Sequence, residues 1–144
     1  MPTVEGEEMK HLALVSAVQL DLGLAGLRQA LRDRVSYDVG VLRGSPERIG
    51  AEQWLLGTGL SASGLMLALQ AVCTAQLLAR PRRRAARVLG VLGAVMVLGY
   101  PAERSVRAAW RQWDPRLAPM TVAATALAAV MAVLGLGRLP QDLP

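Results

Sequence analysis

Long uncharged stretches alternate with short charged ones along this chain. Residues 54–79 contain no Asp, Glu, Lys or Arg, and residues 117–137 form a second uncharged stretch between Arg116 and Arg138. The first stretch, as a helix, is about 39 Å long at 1.5 Å per residue, which exceeds the roughly 30 Å hydrocarbon core of a bilayer. A soluble helix of that length would carry a charged stripe. Both stretches are therefore predicted to be transmembrane helices.

Two further stretches are weaker candidates for membrane spans. Residues 86–101 are apolar but short, so the side chain of Arg87 must reach out to the headgroup layer. Residues 12–31 carry Asp21 near their middle. A central Asp costs about 3 kcal/mol of insertion, roughly what the Leu and Val side chains of this segment contribute. The segment spans if other helices cover the face with Asp21, and otherwise it lies in the interface.

The connecting segments also have recognisable patterns. Residues 80–84, RPRRR, form a tight basic turn, which predicts antiparallel helices on either side. Residues 102–113 are predicted to form a short interfacial helix, because Val106 and Trp110 share one face and the arginines lie largely off it. Pro101 is expected to bend or end the preceding helix.

The long loop before residue 54 gives two expectations. Residues 35–41 alternate between apolar and polar side chains, but a single strand has no partner here, so an extended loop is expected. Ser45 and Pro46 are typical of a helix start, so the helix that ends at residue 79 is expected to begin near residue 50, well before Trp54.

Small residues recur every four positions in three of the apolar stretches. The repeats are Gly57 with Ser61 and Gly64 with Ala68, then Ala86, Gly90 and Ala94, and finally Ala124, Ala128 and Ala132. Helices in lipid associate through close backbone approach, which such stripes permit. The stripes predict either packing within one chain or a dimerisation face. Four polar residues within these stretches are candidates for interhelical hydrogen bonds, namely Gln70, Gln76, Thr121 and Thr125.

These patterns together predict an all-α fold. The prediction is a multipass transmembrane helical bundle in a single domain, 1–144, with spans at about 12–31, 50–79, 86–101 and 117–137 and a short interfacial helix near 102–113.

Composition adds limits on chemistry and on location. The net charge is +5, and all but one of the 16 Lys+Arg residues are Arg, which is typical of GC-rich bacterial genomes. Because these arginines flank apolar stretches without an aromatic stacking platform, the lipid bilayer rather than nucleic acid is the expected partner. One Cys and one His exclude a disulfide framework and a zinc site built from those ligands, and no metal or cofactor is expected.

Charge also predicts the orientation in the membrane. Three Glu residues near the N-terminus do not resemble a signal peptide, so residues 12–31 are expected to stay in the mature protein. The turn at 80–87 has five Arg and no acid, which favours the cytoplasmic side of a bacterial inner membrane for this turn and for both termini.

Asp21 is the strongest candidate for chemistry, because a carboxylate within a membrane segment points to function. Glu103 is the candidate second acid or base. Four further side chains are candidate binding residues, namely Arg28, Tyr37, Tyr100 and Arg104.

The leading hypothesis is a non-catalytic membrane component, either a homo-oligomer or a subunit with a membrane-protein partner. The alternative is a membrane-embedded enzyme that uses Asp21 and Glu103 in acid–base chemistry on an apolar, lipid- or terpenoid-like small molecule. In architecture alone the chain resembles small membrane-embedded terpenoid cyclases and isomerases, a resemblance that assigns no residue. A third hypothesis is conduction of protons or small solutes through an oligomer, along a path lined by Asp21.

Overall fold

The computed structural model describes residues 4–33, 38–39, 42–43 and 63–137. These residues form five α-helices and one small hairpin, with the bounds α1 Val4–Asp33, β1 Asp38–Val39, β2 Leu42–Arg43, α2 Gly64–Ala79, α3 Arg83–Ala102, α4 Arg104–Gln112 and α5 Leu117–Leu136. Apart from the hairpin, the predicted helical class is confirmed for the described part of the chain.

Two of the described helices are long and apolar enough to cross a membrane. These are α3 and α5, each of 20 residues. The helix α1 is longer, at 30 residues, but more polar, and α2 is an apolar helix of 16 residues. The described structure thus supports two candidate membrane helices out of the four that the sequence predicts.

The helix α2 begins later than the sequence pattern predicts. Ser63 is its N-cap, in an extended conformation, and the Ser63 hydroxyl accepts a hydrogen bond from the Met66 N–H at 3.3 Å. A serine in this position satisfies an N–H group that the first turn leaves free, which makes it a favourable starting point. The prediction that one helix runs without interruption from about residue 50 to residue 79 is therefore wrong at Ser63. The predicted helix start at Ser45 and Pro46 lies outside the described residues.

The prediction of an unpaired loop at 35–41 is wrong for residues 38 and 39. Strand β1 pairs with β2 in antiparallel register, with Asp38 opposite Arg43 and Val39 opposite Leu42. The partner strand follows after only two residues, and two-residue connections are the commonest in hairpins. A strand without a distant partner was therefore still able to pair locally.

Helices α3 and α5 pack backbone against backbone. A Cβ atom added to Gly135 would lie 2.5 Å from the Cα atom of Gly90, and one added to Gly93 would lie 2.6 Å from the carbonyl oxygen of Ala128. No side chain fits into these positions. The small-residue stripes of the two helices therefore serve packing within one chain.

Hydrogen bonds fix the relative directions of the helices. Arg83 Nε donates to Glu5 Oε1 at 2.7 Å, and Gln19 Nε2 donates to the Tyr100 hydroxyl at 3.3 Å, so α1 and α3 run in the same direction. Ser16 contacts Thr74, whereas Gly23, later in α1, faces Leu67, earlier in α2. Helix α2 is therefore antiparallel to α1 and to α3, and the arrangement of α2 and α3 is the one that the basic turn between them predicts.

Helix α4 follows α3 after a single residue and connects α3 to α5. Pro101 precedes the end of α3 by one residue, as expected for a helix-ending proline. On α4, Val106 and Ala109 are buried, whereas Arg104 and Arg111 are exposed. The predicted separation of an apolar and a basic face is therefore confirmed for this helix.

Candidate functional site

The four long helices α1, α2, α3 and α5 expose large apolar side chains, and the interior between them is partly polar. Only 28% of the most apolar 18-residue stretch of α5 and 44% of that of α3 are buried. Exposed large apolar side chains occur on all four long helices, and they include Leu14, Val18, Leu65, Leu78, Val91, Leu98, Val122 and Val133. Large exposed apolar patches are typical of surfaces that contact a partner or a membrane.

A polar cluster lies in the interior between α1 and α2. The side-chain amide of Gln70 donates to the Ser16 hydroxyl at 3.3 Å and to the Ser16 carbonyl at 3.0 Å. The hydroxyls of Ser16 and Thr74 are 2.7 Å apart, and the Thr74 hydroxyl also donates to the Gln70 carbonyl at 2.7 Å. Because each hydroxyl has one proton, Ser16 is the donor to Thr74. The three residues thus form a closed ring of hydrogen bonds.

The same interior continues towards α3. Gln19 Nε2 donates to the Tyr100 hydroxyl at 3.3 Å and lies 3.5 Å from the sulfur of Met96. Gln19 and Gln70 are completely or almost completely buried. Within the part of the chain that the structure describes, the Oε1 atom of each has no hydrogen-bond partner. These two carbonyl oxygens are buried acceptors, each able to take one N–H or O–H donor.

Asp21 lies on the exposed side of α1, away from this interior. The hydrogen-bonded pairs between α1 and α3 show which residues of the two parallel helices lie at the same height. Glu5 pairs with Arg83, 78 positions later in the sequence, and Gln19 pairs with Tyr100, 81 positions later. Asp21 is therefore level with the last turn of α3. Leu14 and Val18, which precede Asp21 on the same face, are also exposed.

Glu103 lies at the same end of the molecule but in a different environment. It is buried at the junction of α3 and α4. Its N–H contacts the carbonyl oxygens of Gly99 and Tyr100, and its own carbonyl accepts the N–H of Arg107. The two candidate acid–base residues thus share one end of the molecule, with Asp21 on the outside and Glu103 inside.

The four candidate binding residues do not form one group. Tyr100 is buried in the polar interior, where it accepts the hydrogen bond from Gln19. Arg28 is exposed on α1 and Arg104 is exposed on α4. Tyr37 lies outside the described residues.

A basic depression is present on the outer face of α4. Its lining residues are Arg104, Arg107, Ala108 and Arg111, and its volume is about 290 Å³. These positions are spaced i, i+3, i+4 and i+7, which places them on one helix face. The surface that faces the depression is formed almost entirely by carbon atoms of these four side chains.

Sequence reasoning identified Gln70 as an interhelical hydrogen-bonding residue but missed Ser16 and Gln19. The sequence signal that could have identified Ser16 and Gln19 is the spacing of the inward-facing positions along α1. Apart from Ala13, the buried positions of α1 recur at intervals of three and four residues, at Met9, Leu12, Ser16, Gln19, Gly23 and Gly26. Polar residues on such an inward face are candidates for interhelical contacts.

No family model, curated protein or solved structure matches this chain. Within the described residues, no three His, Cys, Asp or Glu side chains are grouped in a way that would hold a metal ion.

Proposed function

We propose that the chain is a multipass protein of the bacterial inner membrane that acts as a non-catalytic homo-oligomer or as a subunit of a membrane complex. The observation that supports the oligomer or subunit role is the outward position of Asp21 among exposed apolar side chains.

The membrane location is supported by the distribution of polar and apolar side chains. Helices in lipid do not gain from hiding apolar faces from water, so small and polar residues take the interior positions. Gly90, Gly135 and Gln70 occupy such interior positions, while Leu98 and Val133 are more than two-thirds exposed. In this proposal α1, α2, α3 and α5 all cross the membrane.

The oligomer or subunit role follows from the position of one charge. Ionisable residues in membrane segments almost always face the interior of a bundle or pair with another group. Asp21 faces outwards in the single chain, and Leu14 and Val18 share its face of α1. A helix of a second chain packed against this face would give Asp21 an interior position and a partner.

The enzyme and conduction hypotheses use the same carboxylate. An apolar substrate that contacts both Asp21 and Glu103 would have to extend from the exposed face of α1 to the buried junction of α3 and α4. A proton path along Asp21 would run between chains rather than through one. The oligomer or subunit proposal requires neither arrangement.

The proposal is tested by the oligomeric state of the protein extracted in a mild detergent. The wild type should resist a carbonate wash of the membranes and should migrate as an oligomer or with a bound partner. Asp21→Leu should dissociate it, because the charge that needs a partner is gone, whereas Asp33→Asn at the exposed end of α1 should not.

Other results would contradict the proposal. A wild-type monomer, both in detergent and after cross-linking in native membranes, would refute the oligomer or subunit role. Turnover by that monomer would favour the enzyme, and dissipation of a pH gradient in vesicles that Asp21→Asn stops would favour conduction.

A further inference from the structure

We propose that the basic face of α4 around this depression, formed by Arg104, Arg107 and Arg111, binds the phosphate of an anionic phospholipid. The proposal rests on the membrane location proposed above. Arg104, Arg107 and Arg111 line the depression, together with the methyl group of Ala108. Guanidinium groups bind phosphate oxygens through pairs of parallel N–H donors, so several arginines on one face match this ligand.

Arg107 is held in place before any lipid binds. Its Nη1 atom donates to the carbonyl oxygens of Pro101 at 2.8 Å and of Ala102 at 2.6 Å, both at the end of α3. These hydrogen bonds satisfy two backbone carbonyl groups that have no partner within the last turn of the helix. Since its other nitrogens have no hydrogen bond within the described residues, they are available to a phosphate at little further entropic cost.

The position of α4 is that of a lipid headgroup layer. The helix lies between the end of α3 and the start of α5, the two helices able to cross a membrane. The indole N–H of Trp110 donates to the Thr121 hydroxyl at 2.8 Å, which attaches α4 to the first turns of α5. The basic face is therefore directed away from the helical interior at the end of two candidate spans.

The affinity of the purified protein for defined lipids tests this proposal. In a neutral detergent, dioleoylphosphatidylglycerol should bind at least tenfold more tightly than dioleoylphosphatidylcholine. Arg111→Gln should weaken binding of the anionic lipid about fivefold, as expected for the loss of one cation at an anionic surface. Arg111 makes no hydrogen bond within the described residues, so its replacement should leave the fold intact.

Arg32→Gln is the matched control, because Arg32 is an exposed arginine in the last turn of α1 and does not line the depression. This variant should bind the anionic lipid as the wild type does. Equal affinity for the two lipids, or equal losses in the Arg32 and Arg111 variants, would overturn the proposal. Displacement of the lipid by millimolar inorganic phosphate would also overturn it in favour of a free-phosphate site. A protein that resists carbonate but shows no lipid preference refutes this site alone, whereas release by carbonate refutes the membrane location.

Discussion

At the scale of single residues, Asp114 joins the end of α4 to the start of α5. Its N–H bonds the Ala109 carbonyl at 2.9 Å, and the preceding residue, Trp113, has the left-handed φ of 46° that closes α4. Its Oδ1 atom accepts the N–H groups of Arg116 at 2.8 Å and of Leu117 at 3.0 Å. A single side chain thus supplies acceptors to the first turn of α5, whose N-cap residue, Arg116, makes no capping hydrogen bond with its own side chain.

The backbone N–H groups of Leu117 and, second, Arg116 hold the pKa of Asp114 below its ordinary value, because they donate to the charged carboxylate. A lowered pKa in the folded state adds stability above the unfolded value of about 3.9, and that stability is lost as the pH falls through the folded pKa. Thermal unfolding in detergent should therefore show the wild type as more stable than Asp114→Asn at pH 7. The difference should begin to shrink below about pH 4, near the unfolded pKa, and should vanish only once the pH is below the folded pKa.

The control for this prediction is Asp33→Asn, an exposed acid at the C-terminal end of α1 that caps no helix start. Its stability relative to the wild type should not show the same loss at low pH. An advantage of the wild type over Asp114→Asn that is equal at pH 7 and pH 3 would contradict the role of the carboxylate charge.

The ring formed by Ser16, Gln70 and Thr74 shows why polar residues are tolerated in this interior. Each hydroxyl donates one hydrogen bond and accepts another, and the ring connects α1 to α2. Hydrogen bonds arranged in sequence polarise and strengthen one another. Polar contacts between helices in membranes average only about 0.6 kcal/mol, so the ring contributes more to the register of α1 and α2 than to stability.

At the scale of elements, glycine determines how close α3 and α5 come. Gly90 and Gly135 face each other, and a Cβ atom on either would meet the backbone of the other helix within 2.8 Å. A backbone cannot move aside as the end of a flexible side chain can. Glycine is therefore required at both positions of this contact. The alanines beside it are small enough to keep the two backbones close along the rest of the interface.

Replacement of Gly135 by Ala should destabilise the protein by about 1–3 kcal/mol, because the two helices must separate to admit the methyl group. Gly99→Ala in α3 is the matched control, since a Cβ atom there meets nothing within 4 Å. That variant should be neutral or more stable by up to about 1 kcal/mol, as alanine favours helix. Equilibrium unfolding in mixed micelles measures both changes. Equal effects of the two substitutions would contradict the interface.

At the scale of the whole molecule, the two basic regions lie at opposite ends of α3. Arg82, Arg83 and Arg84 lie at the N-terminal end of this helix, and the basic face of α4 follows its C-terminal end. Twenty helical residues separate them by about 30 Å. In a membrane this distance places the two regions in different headgroup layers.

The orientation follows from labelling in vesicles of known sidedness. In a chain whose only cysteine, Cys73, is replaced by alanine, Arg84→Cys should react with an impermeant maleimide from the cytoplasmic side. Arg111→Cys should react from the opposite side. Both residues are exposed, so access does not limit either reaction. Labelling of both from one side would contradict the crossing of α3.

The sequence alone determined the elements that depend on local patterns. The end of α3 beside Pro101, the start of α5 near Leu117 and the amphipathic α4 all follow from the order of apolar, charged and proline residues. The sequence also predicted the small-residue stripes of α3 and α5, because residues spaced by four lie along one face of a helix. The sequence predicted the candidate site only in part, because it pointed to Gln70 and to the arginines of α4.

Only the tertiary structure decided which face of each helix is inside. The pattern placed Asp21 within an apolar stretch, but the side on which it lies depends on how α1 packs against α2 and α3. That packing buries Ser16 and Gln19 and leaves Asp21 outside. It also decided that the stripes meet each other within one chain. Local sequence specifies the helices, whereas contacts between residues distant in sequence specify their rotation and partners.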